Sequence, residues 1–237
     1  MEPTIHDFAD TARFELDAKI EHQHLRPFIS QLMQIQSPVT WTSQLAMLTV
    51  LATTGYYFGA GVVGAIQGGA DAAVRLVLLL AGGAGFTLLA LVPLHEWIHG
   101  LTYKAFGATD VRYSYSIKGF YFYAMAHRFI ANARAFFWIA VMPTLVINSM
   151  ILLLIVLLPE LRLGLLVALA IHLSGAIGDF ALINYLWLHR GGGVYTYDDA
   201  EVKESYFYLA LSDRFLSDQS NTATPHRTGV SGETRSV

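Results

Sequence analysis

Leu94-His95-Glu96-Trp97-Ile98-His99-Gly100 closes a long apolar stretch, and the reading of these seven residues decides how the chain is understood. On a helix, His95 and His99 are four residues apart. Both imidazoles then project from one face and can share one Zn²⁺. Glu96 lies beside them, where it can act as general base toward a water that the metal activates. The competing reading is a chance pair of histidines at a helix end.

The composition says where such a helix would lie. The chain has 237 residues, 54% of them hydrophobic and 14% charged. Soluble domains usually carry about 25% charged residues, so this is a membrane composition. The net charge of −3 offers no basic surface for nucleic acid. There is no cysteine, so a metal must be held by His and carboxylate groups. Residues 1–26 hold Asp7, Asp10, Glu15, Asp17, Lys19 and Glu21 with no apolar core of signal length. The first membrane helix is therefore expected to direct insertion.

Four apolar segments follow a polar N-terminal region, at about 44–67, 73–101, 135–158 and 161–188. Each has about the 20 residues needed to cross the hydrocarbon. Gly82, Gly83 and Gly85 in the second would permit close helix contact. Upstream, Leu25, Phe28, Ile29, Leu32 and Met33 form a helical stripe that Ser37-Pro38 ends. Arg13, Lys19, Arg26, Lys104, Arg112, Lys118, Arg128, Arg134, Arg190 and Lys203 fall on one side of the segments, and Arg75 and Arg162 on the other. The positive-inside rule then puts both termini in the cytoplasm.

Between the second and third segments, Val111, Tyr113, Tyr115 and Ile117 alternate with Arg112, Ser114, Ser116 and Lys118. This period of two predicts a strand, with a turn at Lys118-Gly119 and a returning strand at 120–123. Such a hairpin could accept an extended peptide at its edge, or form an interfacial aromatic belt. After the fourth segment, Gly191-Gly192-Gly193 reads as a hinge. Residues 194–211 read as a short strand followed by a helix.

Ionisable groups inside a membrane are costly and mark function. Asp179 comes 18 residues into the fourth segment, about 27 Å of helix rise, and His95 comes 22 residues into the second, about 33 Å. Both fall toward the cytoplasmic side. A carboxylate near two histidines suits a third zinc ligand. It could otherwise pair with an Arg or relay protons, but no Arg or Lys in the membrane interior is available to it. His172 competes as a ligand but reads better as a hydrogen-bonded core histidine. Asn148 could bind a substrate carbonyl or orient a helix.

The order of these features resembles the zincin peptidases of the DUF3267 family, relatives of the site-2-protease (M50) intramembrane metalloproteases. It consists of the HExxH helix, the hairpin-like loop, Asn148 with Pro143 on the third segment and Gly178-Asp179 on the fourth, over about 41–188. The resemblance implies His95, His99 and Asp179 as zinc ligands and Glu96 as catalytic base. Site-2 proteases have Asp before Gly, with Asn and Pro in the same segment. Here the order is Gly178-Asp179, with Asn148 and Pro143 one segment earlier.

The expected fold is an all-α integral membrane bundle of four transmembrane helices, with a small β-hairpin between the second and third. A cytoplasmic segment at 1–40 precedes the metalloprotease-like domain at 41–190. A short cytoplasmic segment at 191–216 and a disordered tail at 217–237 follow. The expected function is Zn²⁺-dependent hydrolysis of membrane-associated protein or peptide substrates in the cell membrane. The alternatives are a non-catalytic metal-binding or transport protein and an inactive scaffold.

Overall fold

A computed structural model describes residues 3–116 and 121–211. Helix α1, Leu25–Gln34, is the amphipathic helix its apolar stripe predicts. Ser37 then caps α2, Pro38–Phe86, by accepting hydrogen bonds from the Val39 and Thr40 amides, with Pro38 in the first turn. The Ser37 hydroxyl also donates to Asn184 Oδ1 at 2.6 Å, and Asn184 Nδ2 donates to the Leu32 carbonyl at 2.7 Å. This buried amide ties the α1–α2 corner to helix α6, Ile177–Leu188.

In α2 the helical geometry breaks at Gly69, with φ 72° and ψ −155°. That backbone suits a residue without Cβ. The flanking halves lie against each other, since a Cβ on Gly61 would sit 2.9 Å from Leu76 Cδ1. A π-turn at Thr87–Leu91 leads into α3, Val92–Ala105, which carries the HExxH residues. Pro93 has no amide to offer the preceding turn, and a widened turn accommodates that loss. Of the glycines expected at close helix contacts, Gly83 makes one. A methyl there would collide with the Gly164 carbonyl on α5, Arg162–Gly175. Helix α4, Ala133–Leu157, completes the helical layer.

The expected all-α bundle of four transmembrane helices does not form. Among the described residues, two helical runs are long and apolar enough to cross a membrane, Pro38–Ala105 and Ala133–Leu157, or three if the bent pair Pro159–Gly175 and Ile177–Leu188 is one span. The first two expected segments both fall within the run Pro38–Ala105, on either side of the break at Gly69. The fourth is two helices meeting at 47° beside Ala176. Apolar content measures how much chain lipid tolerates, but not where backbone hydrogen bonding continues or bends.

The all-α expectation also fails because the polar flanks form a sheet. Strands β1 (Phe14–Glu21), β4 (Ala131–Asn132), β5 (Gly193–Asp199) and β6 (Glu204–Ala210) pair antiparallel in the order β1-β6-β5-β4. Segment 204–210 is thus a strand and not the expected helix. Strands β2 (Val111–Ser116) and β3 (Tyr121–Ala126) form a separate two-stranded ladder. The Lys118-Gly119 turn and the tail at 217–237 lie outside the described residues.

One core joins the sheet to the helices through Ile20, Phe136, Ile139, Tyr185, Phe207 and Leu209. A second lies among the helices around Leu91, Ile98, Ile147, Ile151 and Leu169. The HExxH helix runs between them.

Candidate metal centre

The bend beside Ala176 makes Asp179 a first-turn residue of α6, where the helix dipole favours a carboxylate. The four-residue spacing on α3 stacks His95 and His99 on one face. These three side chains meet. His95 Nε2 lies 3.1 Å from His99 Nε2 and 3.1 Å from Asp179 Oδ2, and His99 Nε2 is 3.3 Å from Asp179 Oδ1. Tetrahedral ligands about 2.0–2.1 Å from a zinc ion stand about 3.3 Å apart, so the triangle has the size of a zinc face.

The hydrogen bonds around the triangle say what it lacks. His99 Nδ1 is 2.8 Å from the Ile139 carbonyl, which can only accept. In its neutral form His99 therefore carries its proton on Nδ1, and Nε2 is a bare lone pair. That lone pair faces a second imidazole nitrogen and a carboxylate. Asp179 Oδ2 is buried without a hydrogen bond of acceptable geometry, although His95 is close. Acceptors converging on one point require a cation, either a metal ion or added protons. The donor set, two imidazoles and a carboxylate, suits zinc and leaves a fourth position open. Among the described residues, His95, His99 and Asp179 are the group able to hold a metal, with ligand atoms within 4.8 Å of one another.

The Ile139 carbonyl is available for a local reason. In an α-helix it would accept from the amide of residue 143, and residue 143 is proline. Pro143 thus leaves an acceptor at the place where His99 takes it up. The sequence carried this signal, since a proline inside an apolar helix releases the carbonyl four residues earlier.

Glu96 accepts a hydrogen bond from the Ala124 amide on β3 at 2.7 Å. Ala124 stands opposite Tyr113 on β2, and its amide is given to Glu96 rather than to the ladder. A cleft of about 660 Å³ opens here. Phe28, Ile29 and Met33 of α1 form one wall, Phe122 and Tyr123 of β3 another, and His95, Glu96, His99 and Asp179 the floor.

Asn148 is not among the cleft-lining residues. Its Oδ1 is 2.8 Å from His172 Nδ1, and His172 Nε2 is 3.1 Å from His95 Nδ1. His172 is a buried, hydrogen-bonded histidine, as expected, but it reaches the HExxH helix directly. Sequence reasoning missed a further polar set beneath the sheet. His22 Nε2 is 3.1 Å from Ser205 Oγ, and Ser205 donates to Asp198 Oδ1 at 2.5 Å. Tyr103 also hydrogen-bonds Asp198. These residues line a smaller cavity of about 140 Å³. Burial pushes His22 down to about 4, with Lys203 adding to the effect and Glu204 opposing it. Burial pushes the Asp198 carboxyl up to about 6 against the hydrogen bonds from Ser205 and Tyr103.

The donor set and the adjacent glutamate are those of an HExxH metallopeptidase. Residues 88–192 match the DUF3267 family, described as "putative zincin peptidase". That stretch runs from the π-turn through the HExxH helix, the β2–β3 ladder and Asp179. Nothing among curated proteins or solved structures matches the chain.

Proposed function

We propose that the chain is an intramembrane zinc metalloprotease, site-2-protease-like in its ligand order, that hydrolyses membrane-associated protein substrates near the cytoplasmic face. The observation that carries this reading is the convergence of His95 Nε2, His99 Nε2 and the Asp179 carboxylate on one point beside Glu96. His95, His99 and Asp179 hold the metal. A bound zinc ion supplies Lewis acidity that acidifies water and polarises a peptide carbonyl. Glu96 accepts the proton of the attacking water on the oxygen not engaged by Ala124, then passes it to the leaving amine. An extended substrate lies along the outer edge of β3, where its backbone competes for the Ala124 amide that now holds Glu96. The apolar walls of the cleft take its side chains.

The orientation rests on charge. Arg13, Lys19, Arg128 and Lys203 lie on the sheet side, which the positive-inside rule assigns to the cytoplasm together with both termini. The lipid bilayer is the surrounding partner.

The test is zinc analysis of the detergent-purified protein combined with the Glu96→Gln variant. Wild type is expected to hold one zinc per chain. The variant is expected to keep the metal, lose about 10²–10⁴ in hydrolysis and accumulate uncleaved membrane proteins. A variant that retains zinc with full function favours a non-catalytic metal-binding or transport protein. Absence of metal, with normal function of His95→Ala, favours an inactive scaffold.

A further inference from the structure

His99 and His95 reach the same point by different support. His99 has a backbone carbonyl on its Nδ1, fixed in polarity. His95 has another histidine there, and an imidazole nitrogen can either donate or accept. Something must set the direction of that bond. A donor at His172 Nε2 would force the neutral His95 proton onto Nε2, the atom that faces Asp179 and His99.

We infer that Asn148 and His172 form a directional relay that holds His95 with its proton on Nδ1 and its Nε2 lone pair presented to the metal. The chain of polarity runs outward from Asn148. Its Oδ1 can only accept, so His172 Nδ1 carries the proton. Neutral His172 then has a bare Nε2, which accepts from His95 Nδ1. His95 Nε2 is left without a proton. Each bond has hydrogen-bond length, at 2.8 Å and 3.1 Å, and His172 is 4% exposed, so water does not compete for its nitrogens. The three groups come from three helices, Asn148 on α4, His172 on α5 and His95 on α3. Asn148 and His172 are thus positioning residues acting through His95. The partner behind a ligating imidazole typically changes metal affinity 10- to 100-fold.

This inference rests on His95 being a metal ligand, and the experiment separates the two. Zinc affinity is measured by competition with a chromogenic chelator, on wild type and four variants that remain monodisperse in detergent. His172→Ala and Asn148→Leu are expected to weaken zinc binding about 10- to 100-fold. His172→Gln supplies an amide oxygen to His95 Nδ1 and is expected to stay within about fivefold of wild type. In that background the second change, Asn148→Leu, is expected to cost nothing further, because no tautomer remains to be set. A structural role for Asn148 would cost the same in both backgrounds, and that result overturns the relay. Wild-type affinity in His172→Ala also overturns the relay alone. Wild type that binds no zinc overturns the metal reading and the relay with it. If His172→Ala or Asn148→Leu does not fold, ¹⁵N-histidine spectra of wild type decide. Nδ1–H on His172 and His95 supports the relay, and Nε2–H on His172 overturns it.

Discussion

Gly100, the last residue of HEWIHG, lies buried beneath the Tyr113 ring of β2, and a methyl group on it would collide with the Tyr113 hydroxyl. The ring belongs to the ladder whose Ala124 amide holds Glu96. Gly100→Ala is therefore expected to push the Tyr113 ring aside by about an ångström and to loosen the edge over the cleft. Misplacement on that scale costs about ten- to a hundredfold in hydrolysis. Zinc affinity is expected to stay at the wild-type value, because the hydrogen bonds and ion pairs that position His95, His99 and Asp179 come from α3, α4, α5 and α6 rather than from β2. Measuring both on one preparation separates these outcomes, and a parallel loss of zinc would sink the explanation. The clustering of His95, Glu96 and His99 was legible in the sequence because helical spacing alone puts the two imidazoles on one face. Asp179 was legible through its depth along the segment. The role of Gly100 was not, since it depends on which ring a later loop lays across it. His172 reads from the sequence as a hydrogen-bonded core histidine, but its contact with His95 is not legible, because a partner on another helix leaves no mark in local spacing.

At the scale of elements, two interruptions of helical geometry build the centre. The bend beside Ala176 puts Asp179 in the first turn of a new helix, and Pro143 frees a carbonyl inside α4 for His99. Pro143→Ala restores an amide that can bond the Ile139 carbonyl along the helix, in competition with His99 Nδ1. The expected result is a several-fold, up to about tenfold, loss of zinc affinity. Thermal stability is expected not to fall in step, because the helix gains a hydrogen bond and a residue of higher propensity. Competition titration and detergent melting curves check the two halves, and unchanged zinc affinity would remove Pro143 from the account. The helices were found in the sequence by apolar content, which locates α1 and α4 within two residues. The strands escaped unevenly. Phe14, Leu16, Ala18 and Ile20 alternate with Glu15, Asp17, Lys19 and Glu21, which is the period-two pattern of a strand. Tyr206, Phe207, Tyr208 and Leu209 are continuously apolar or aromatic, and such a run does not distinguish strand from helix.

At the scale of the molecule, the pairing of Phe14–Glu21 with Glu204–Ala210 closes the chain around its helices. No local pattern encodes a partner so distant in sequence; what selects it is the apolar face that β1, β6 and α6 bury together through Ile20, Phe207 and Tyr185. This closure carries the His22–Ser205–Asp198 set across the sheet. Its two titrating groups give opposite pH slopes. His22 has a folded value near 4 against an ordinary 6.5, so the unfolded chain binds the extra proton between those values. Its contribution to stability therefore rises with pH from about 4 to 6.5. Asp198 has a folded value near 6 against an ordinary 3.8, so here the folded chain binds the extra proton. Its contribution falls as pH rises from about 4 to 6. In wild type the two slopes oppose each other across that window. Removing one exposes the other. Asp198→Asn is expected to melt at increasing temperature as pH rises from 4 to 6.5, relative to wild type. His22→Gln is expected to melt at decreasing temperature between pH 4 and 6. Melting curves at half-unit pH steps check both, and parallel profiles for the two variants would mean that the pair does not titrate across the closed sheet. Because both groups lie outside the metal triangle, the slopes are expected to persist in chelator-treated protein, which separates closure of the sheet from occupancy of the centre.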